Sequence, residues 1–215
     1  MKHEICLLSE GLAPQALAVF AALDYDSTLD ADAFARLTTG DTTSLQSLRL
    51  AAISGTAMTG FAVGCVRDDA LVVKFLAVDP HWQRRGIGSA LLHRLEDEAR
   101  SMGLSRATVG GVGPNYFYPG VDLRLTPALS FLWRHGYETD RVARVDMHVD
   151  LATTDLATTE AERAYALQGI TIRRMAAVDV DAVAALGAMQ STAFATEVRV
   201  AAENHPVSAF VALDG

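Results

Sequence analysis

The run Gln83-Arg84-Arg85-Gly86-Ile87-Gly88 has the residue types and the spacing to hold an anion. Strand-like sequence ends at Val78, a turn follows through Asp79-Pro80, and the glycines open a long amphipathic segment. The first N–H groups of a helix have no partner one turn back, and the aligned peptide dipoles add positive potential there. Glycine at 86 and 88 leaves no side chain between those donors and a pyrophosphate, and Arg84 and Arg85 add charge beside it. Two familiar phosphate motifs are excluded. No Lys-Ser/Thr pair follows the glycines, as a nucleotide P-loop requires, and Leu91 stands where a dinucleotide fingerprint needs its third glycine.

The elements that must position this run are visible in the periodicity. It predicts a strand over 3–9, with Ile5, Leu7 and Leu8 apolar, and a helix over 13–23 with Leu17, Phe20 and Leu23 on one face. A short helix follows at 30–37. Strands are expected at 48–53, 58–66 and 71–78, joined by the turns Ser54-Gly55-Thr56 and Arg67-Asp68-Asp69 and therefore antiparallel. That order also disfavours a dinucleotide-binding unit. The strongest helical signal covers 86–102, where Ile87, Leu91, Leu95, Ala99 and Met102 recur at steps of three and four. On its polar side Arg94 meets Glu98 and Glu96 meets Arg100, and Gly103 supplies the stop. A strand at 106–109 leads into the glycine-rich loop 110–119. Thr126 then caps a short helix with Pro127 in its first turn, ended by Gly136. Val145, Met147, Val149 and Leu151 alternate with Arg144, Asp146, His148 and Asp150, the pattern of a strand with one wet face.

This combination resembles the GNAT superfamily of N-acetyltransferases, whose signature is Gln/Arg-x-x-Gly-x-Gly/Ala. Residues 76–92 follow that family's coenzyme A motif closely, especially the version in ribosomal-protein N-terminal acetyltransferases. Ala128-x-x-Phe131 with Gly136-Tyr137-Glu138 resembles its second motif. The resemblance runs from residue 3 to 151 in element order. It implies an α/β fold, the mixed sheet of the acyl-coenzyme A N-acyltransferases, and acetyl transfer from acetyl-coenzyme A to a primary amine in a ternary complex. It implies that Leu76, Ala77 and Val78 offer their backbone to the pantetheine arm, with the Val78 N–H polarising the thioester carbonyl. It implies that Gln83, Arg84, Arg85, Gly86, Ile87, Gly88, Ser89 and Ala90 hold the pyrophosphate, and that the acceptor is a small-molecule or peptide amine.

Proton transfer is where the resemblance thins. GNAT enzymes ordinarily use a tyrosine acid in the helix after strand five and a glutamate base on strand four or five. Leu132, Val72 and Gly110 stand at those places here. The loop 115–122 offers replacements: Tyr118 or Tyr116 as the acid and Asp122 as the base, unless the aromatics simply pack the loop. His81 reads as a solvated turn residue, Lys74 as an exposed strand residue, and Asp79 as the residue that fixes the turn. Asp24, Tyr25, Asp26, Asp30 and Asp32, where the family covers its acceptor pocket, form either a solvated acidic loop or an attraction for a cationic amine. With the usual acid and base missing, a second reading stands beside the enzyme: a non-catalytic acyl-coenzyme A-binding domain that senses or scaffolds.

Composition sets the outer bounds. Hydrophobic residues make up 50% of the 215 and charged ones 20%, a balance that builds a core and excludes disorder. A net charge of -8 excludes wholesale nucleic-acid binding while allowing a local basic pocket. No apolar run approaches the roughly 20 residues that span a bilayer, so no membrane association is expected. Met1-Lys2-His3-Glu4 opens no signal peptide, which makes the cytoplasm the expected compartment. Cys6 and Cys65 read as buried reduced thiols, and the scattered histidines suggest no metal site.

Three segments are expected: an acetyltransferase domain over 1–151, a linker over 152–169 that is partly helical, and a second unit over 170–215. The second unit reads as a strand at 170–174, one helix at 178–193 and a strand at 207–213. This restart resembles tandem GNAT proteins, with this chain as the N-terminal half and a second domain begun but incomplete. The second unit lacks a Gly-x-Gly motif, so only the first should bind coenzyme A by this route. Its last strand would leave an unpaired edge, which implies packing on the first domain or on a second copy of the chain in a homodimer.

Overall fold

A computed structural model describes residues 3–23, 29–39, 46–67, 69–111, 118–139, 147, 149–155 and 157–214. The chain divides into two compact units, Met1–Val142 and Ala143–Gly215.

The first unit is built on a five-stranded sheet in sequence order: β1 (Glu4–Leu7), β2 (Ser47–Ser54), β3 (Ala57–Arg67), β4 (Ala70–Val78) and β5 (Ala107–Val109). The first four are antiparallel and β5 joins β4 in parallel, giving the mixed α/β class expected from the sequence. The tight turns are where the sequence put them. Gly55 takes φ +62° between β2 and β3, and Asp69 takes φ 58° between β3 and β4. The parallel partner needs a crossover, which α3 (Ile87–Ser101) supplies.

Alternation along the strands sends side chains to two cores, one on each face. On one face Leu48, Leu50, Ala52, Ala62, Leu71 and Val73 pack under the stripe Ile87, Leu91, Leu92, Leu95 and Ala99 of α3. Phe131 and Tyr137, on and just after α4 (Thr126–Arg134), complete that side. On the other face Ala51, Phe61, Val63 and Ala77 meet Ala16, Val19 and Phe20 of α1 (Ala13–Ala21) and Phe34 of α2 (Ala31–Leu37). Asp30 caps α2, its Oδ1 accepting from the Ala33 N–H at 2.7 Å. Thr126, expected as the cap of α4, is instead its first helical residue; Leu125 holds the cap position and no side chain caps the helix.

Two irregularities shape β4 and its neighbours. Register shifts between Ala52 and Ile53, where buried Thr59 donates its hydroxyl to the Ala52 carbonyl at 3.1 Å. It shifts again opposite β4, where Val63 pairs with Phe75 but Gly64 with Val73, leaving Lys74 as the extra residue of a bulge. Lys74 is only 4% exposed, so its reading as an exposed strand residue was wrong; the bulge turns it inward. Both cysteines lie in strands as free thiols, Cys65 buried and Cys6 half-buried.

In the second unit α5 (Thr159–Ala166) occupies the middle of the segment read as a linker. β6 (Ile170–Arg174) pairs antiparallel with β7 (Phe210–Asp214). One helix was expected between them, but there are two, α6 (Val180–Ala188) and α7 (Thr192–Glu203). The chain breaks where Ser191 turns extended and caps α7, its Oγ accepting from the Ala193 N–H at 3.2 Å. Asp179 ties the start of α6 to β6: it accepts both Arg173 guanidinium nitrogens, at 2.6 and 2.9 Å, and the Ala176 N–H at 2.8 Å. Of the strand read over 144–151, residues 144–146 and 148 lie outside those described, and the described ones, Met147 and 149–151, are not in a strand.

Candidate functional site

β4 changes partners along its length. Leu71, Val72 and Val73 pair with β5, and the Gly110 N–H extends the ladder by one bond to the Val73 carbonyl at 3.1 Å. Past that point, among the described residues, no strand joins β4 on this side. On the other side the antiparallel register continues to Gly60 opposite Val78, and the Asp79 N–H reaches the Thr59 carbonyl at 3.0 Å. Ladder bonds alternate residue by residue. Asp79 and Ala77 therefore face β3, while Leu76 and Val78 turn their N–H and C=O groups to the open side. The Val78 carbonyl confirms the direction, accepting the Gln83 side-chain amide at 3.1 Å. The exposed backbone of Leu76 and Val78 suits an extended amide-bearing arm.

The run after β4 is held by local devices. Asp79 accepts the His81 N–H at 2.8 Å, fixing a 3-10 turn at Pro80–Trp82 as the sequence suggested. Arg84 takes φ 61° and Gly86 takes φ +82°, two left-handed residues within three positions. For arginine that conformation costs about 1–2 kcal/mol, and backbone of mixed hand gathers successive N–H groups into an anion-binding concavity. Gly86 is the N-cap of α3, and the first return bond is Ala90 N–H to the Gly86 carbonyl, at 2.9 Å. The N–H groups of Ile87, Gly88 and Ser89 thus have no carbonyl one turn back inside the helix. A Cβ placed on Gly86 would meet nothing within 4 Å. Arg85 lies 5.0 Å over the Trp82 ring, whose edge meets His3 at 5.6 Å. A cavity of about 190 Å³ lies behind the loop, lined by His3, Ile5, Ala52, Arg85, Gly86, Ile87 and Ala90.

The second glycine has a different reason. A Cβ on Gly88 would stand 3.5 Å from the Phe131 ring and 3.6 Å from Val78 Cγ2, in ordinary contact. Gly88 sits where α3 packs against both Val78 of β4 and Phe131 of α4. Ser89, next along, has its Oγ 2.9 Å from His135 Nε2. Tyr137 donates its hydroxyl to Glu96 at 3.0 Å. Burial, then the adjacent Glu96 charge, raise that phenol well above the usual tyrosine range, so it stays a donor at neutral pH.

The residues proposed for proton transfer are only partly gathered. Tyr116 lies outside the described residues, as do Asp24, Tyr25 and Asp26. Tyr118 lies tilted with its ring 6.1 Å from Phe75, beside an aromatic group in which Phe75 meets Phe20 at 5.4 Å and Phe61 at 5.6 Å. Phe75 immediately follows the Lys74 bulge. Asp122 accepts the Arg124 N–H at 2.8 Å and the Arg124 guanidinium at 3.0 and 2.7 Å. The Asp122 carboxylate is therefore already engaged by Arg124. Leu132, Val72 and Gly110 contribute no titratable group. Among the described residues no three metal-ligating side chains come together, and no helix is long and apolar enough to cross a membrane.

The model of the acetyltransferase (GNAT) family matches residues 18–116. No protein of curated function matches the sequence. Among solved structures, the ribosomal-protein-S18-alanine N-acetyltransferase of Escherichia coli is 22% identical over 63% of this chain and 77% of its own, with a TM-score of 0.51. The PaiA N-acetyltransferase of Thermoplasma acidophilum, solved in complex with coenzyme A, is 16% identical over 66% and 94%, with a TM-score of 0.52. A fungal multi-domain GH3 β-N-acetylglucosaminidase bearing a glucosamine N-acetyltransferase region is 18% identical over 99% of this chain and 26% of its own, with a TM-score of 0.74. At these identities the likeness is one of fold, and the last takes in residues of both units.

Proposed function

The chain belongs, through residues 18–116, to the acetyltransferase (GNAT) family, and from that premise we propose that its first unit transfers acetyl from acetyl-coenzyme A to a primary amine by direct attack in a ternary complex. One observation carries the reading. The outward-facing backbone of Leu76 and Val78 ends five residues before a run whose free N–H groups and left-handed turns suit a pyrophosphate.

Acetyl-coenzyme A supplies the activated acyl group, a thioester. The backbone at Leu76 and Val78 pairs with the pantetheine arm, Ala77 between them being turned to β3 rather than outward as the family resemblance implied, and the Val78 N–H takes up the negative charge that develops on the carbonyl oxygen. Arg84, Arg85 and the N–H groups from Gly86 to Ser89 hold the phosphates, the Ala90 N–H being returned to the Gly86 carbonyl, with Gln83 fixing the loop to the Val78 carbonyl. Holding both reactants in register is itself a large part of such catalysis, since attack becomes effectively unimolecular. Tyr118, or Tyr116, protonates the departing thiolate, and the amine loses its proton to Asp122 or to water. Asp122 is the weaker part of this assignment because Arg124 already engages it.

That engagement also favours a second reading, in which the same site binds an acyl-coenzyme A without turning it over. Coenzyme A release in an amine panel separates the two. The panel should contain an amino sugar, an aminoglycoside and a peptide with a free N-terminus, because the similar structures act on amines of different kinds. Acetyl-coenzyme A binding by calorimetry with release on any acceptor supports the enzyme. Binding with no release on every acceptor supports the sensor, and no binding refutes both.

A further inference from the structure

Ser89 ends the first turn of α3, and its Oγ meets His135 Nε2 at 2.9 Å from the far end of α4. The His135 ring packs 4.5 Å from Phe131 and 5.0 Å from His93, which stands one turn beyond Ser89 on α3. Two imidazoles and a hydroxyl thus line the seam between α3 and α4, about 9 Å along the axis from Ile87 at their far end. Neither histidine has a part in the transfer chemistry.

A hydroxyl has one proton to give. If Ser89 gives it to a bound phosphate oxygen, the contact with His135 requires the imidazole to be the donor. We propose that His135, backed by His93, is a positioning residue of the phosphate site: it donates to Ser89 Oγ, aims the Ser89 O–H at the pyrophosphate, and tightens the hold when the imidazoles are protonated. This rests on the coenzyme A reading above. The other charged groups at the seam are engaged with one another. Glu96 accepts from Tyr137 and Arg100, Asp97 pairs with Arg100, Arg94 with Glu98, and Arg134 donates to the Ser130 carbonyl. From the phosphate loop, Arg85 stacks on Trp82, and Arg84 adds a fixed positive charge. Histidine is the side-chain type whose charge ordinarily changes near neutral pH.

The sign follows. Protonated imidazole favours the anion, so affinity is highest at low pH and falls as pH rises through the imidazole range. The diester pyrophosphate keeps its charge there, whereas a terminal phosphate monoester takes up a proton near pH 6. Dephospho-coenzyme A, which lacks the monoester, isolates the first effect.

The test is calorimetric titration of the full chain with coenzyme A and with dephospho-coenzyme A between about pH 5 and 8. Wild type should lose about tenfold in affinity across that range with both ligands. His135→Phe should bind about tenfold more weakly at low pH, the scale of one hydrogen bond in a charged site. His135→Gln, whose amide donates without titrating, should recover most of that loss and flatten the pH slope. Ser89→Ala should make the His135→Phe effect largely disappear in a double-mutant cycle. Thermal melts check folding, and if His135→Phe melts early the Gln variant and the cycle with Ser89 carry the test. A slope that survives in His135→Gln, or that vanishes with dephospho-coenzyme A in wild type, overturns the proposal alone. A wild type that binds neither ligand overturns it together with the cofactor reading.

Discussion

Gly86 and Gly88 share a motif but differ in how far each position needs glycine, which a pair of substitutions separates. Gly86 sits at φ +82° with open space where a Cβ would go. Gly86→Val therefore meets no clash, but it places a β-branched residue in the left-handed region, at a cost of about 1–3 kcal/mol. For a chain of this size each kcal/mol lowers Tm by roughly 2–4 °C, so the variant should still be folded at 25 °C. The added side chain projects into the space over the free N–H groups of α3. It should remove coenzyme A binding, by at least about 100-fold, through blocked access and lost charge-assisted hydrogen bonds. Gly88 is helical, and its Cβ would touch Phe131 and Val78 at 3.5 and 3.6 Å. Gly88→Ala removes the helical penalty of glycine, about 1 kcal/mol, and adds two good contacts. It should raise Tm by a few degrees and leave coenzyme A affinity within roughly threefold. Calorimetry and thermal melts on both variants decide the matter. Wild-type affinity in Gly86→Val, or loss of binding in Gly88→Ala with an intact melt, would refute the account of the phosphate run.

Other expectations are as direct. Tyr118→Phe should lower turnover by about 100-fold with coenzyme A affinity unchanged, measured as thiol release against calorimetry; an unaffected rate removes Tyr118 from the mechanism. Gly60→Ala should destabilise by about 1–3 kcal/mol in urea unfolding, because its Cβ would stand 2.6 Å from the Ala77 carbonyl oxygen in the strand that carries the site. Asp179 is held at about 2 by the Arg173 side-chain hydrogen bonds, then by the Ala176 N–H. A depressed carboxylate adds stability that is present above its unfolded value near 3.9 and lost as pH falls toward 2. Acid unfolding followed in the second unit should thus be sensitive between those values, and Asp179→Asn should make it less so.

The parts read correctly from sequence are those where one local rule decides the outcome. Ile87, Leu91, Leu95 and Ala99 all lie in the core beneath α3, because a five-strand sheet offers one place for a stripe of that width. Gly86 as N-cap and Gly103 at φ +83° follow from backbone conformation alone. What the sequence hid depends on tertiary pairing. Lys74 looked exposed because period-two alternation assumes a regular ladder, and the bulge against Val63 and Gly64 resets the face it joins. The helix read as 178–193 looked continuous because Ala and Leu run through it. The Ser191 cap, a weaker local signal, breaks it. The Ser89–His135 contact joins residues 46 apart, and no periodicity announces it.

The same division explains why the cofactor half of the site is better defined than the chemical half. In the proposed site phosphate and pantetheine would be met by main chain, whose donors are set by where β4 loses β5 and where α3 begins. Side-chain identity matters there chiefly through what glycine omits. Proton transfer has no such backbone template; it needs individual side chains at individual distances, and these come from loops free to vary in sequence. Tyr118 rests against Phe75, the residue after the Lys74 bulge, so in the proposed site one irregularity in β4 bears on both halves. The bulge sets which residues beyond Val73 turn their amides outward, and it fixes the aromatic surface on which Tyr118 rests. Substitutions that straighten it should therefore damage binding and turnover together. Substitutions in the phosphate run should damage binding first, and those in the 118–122 loop should damage turnover alone.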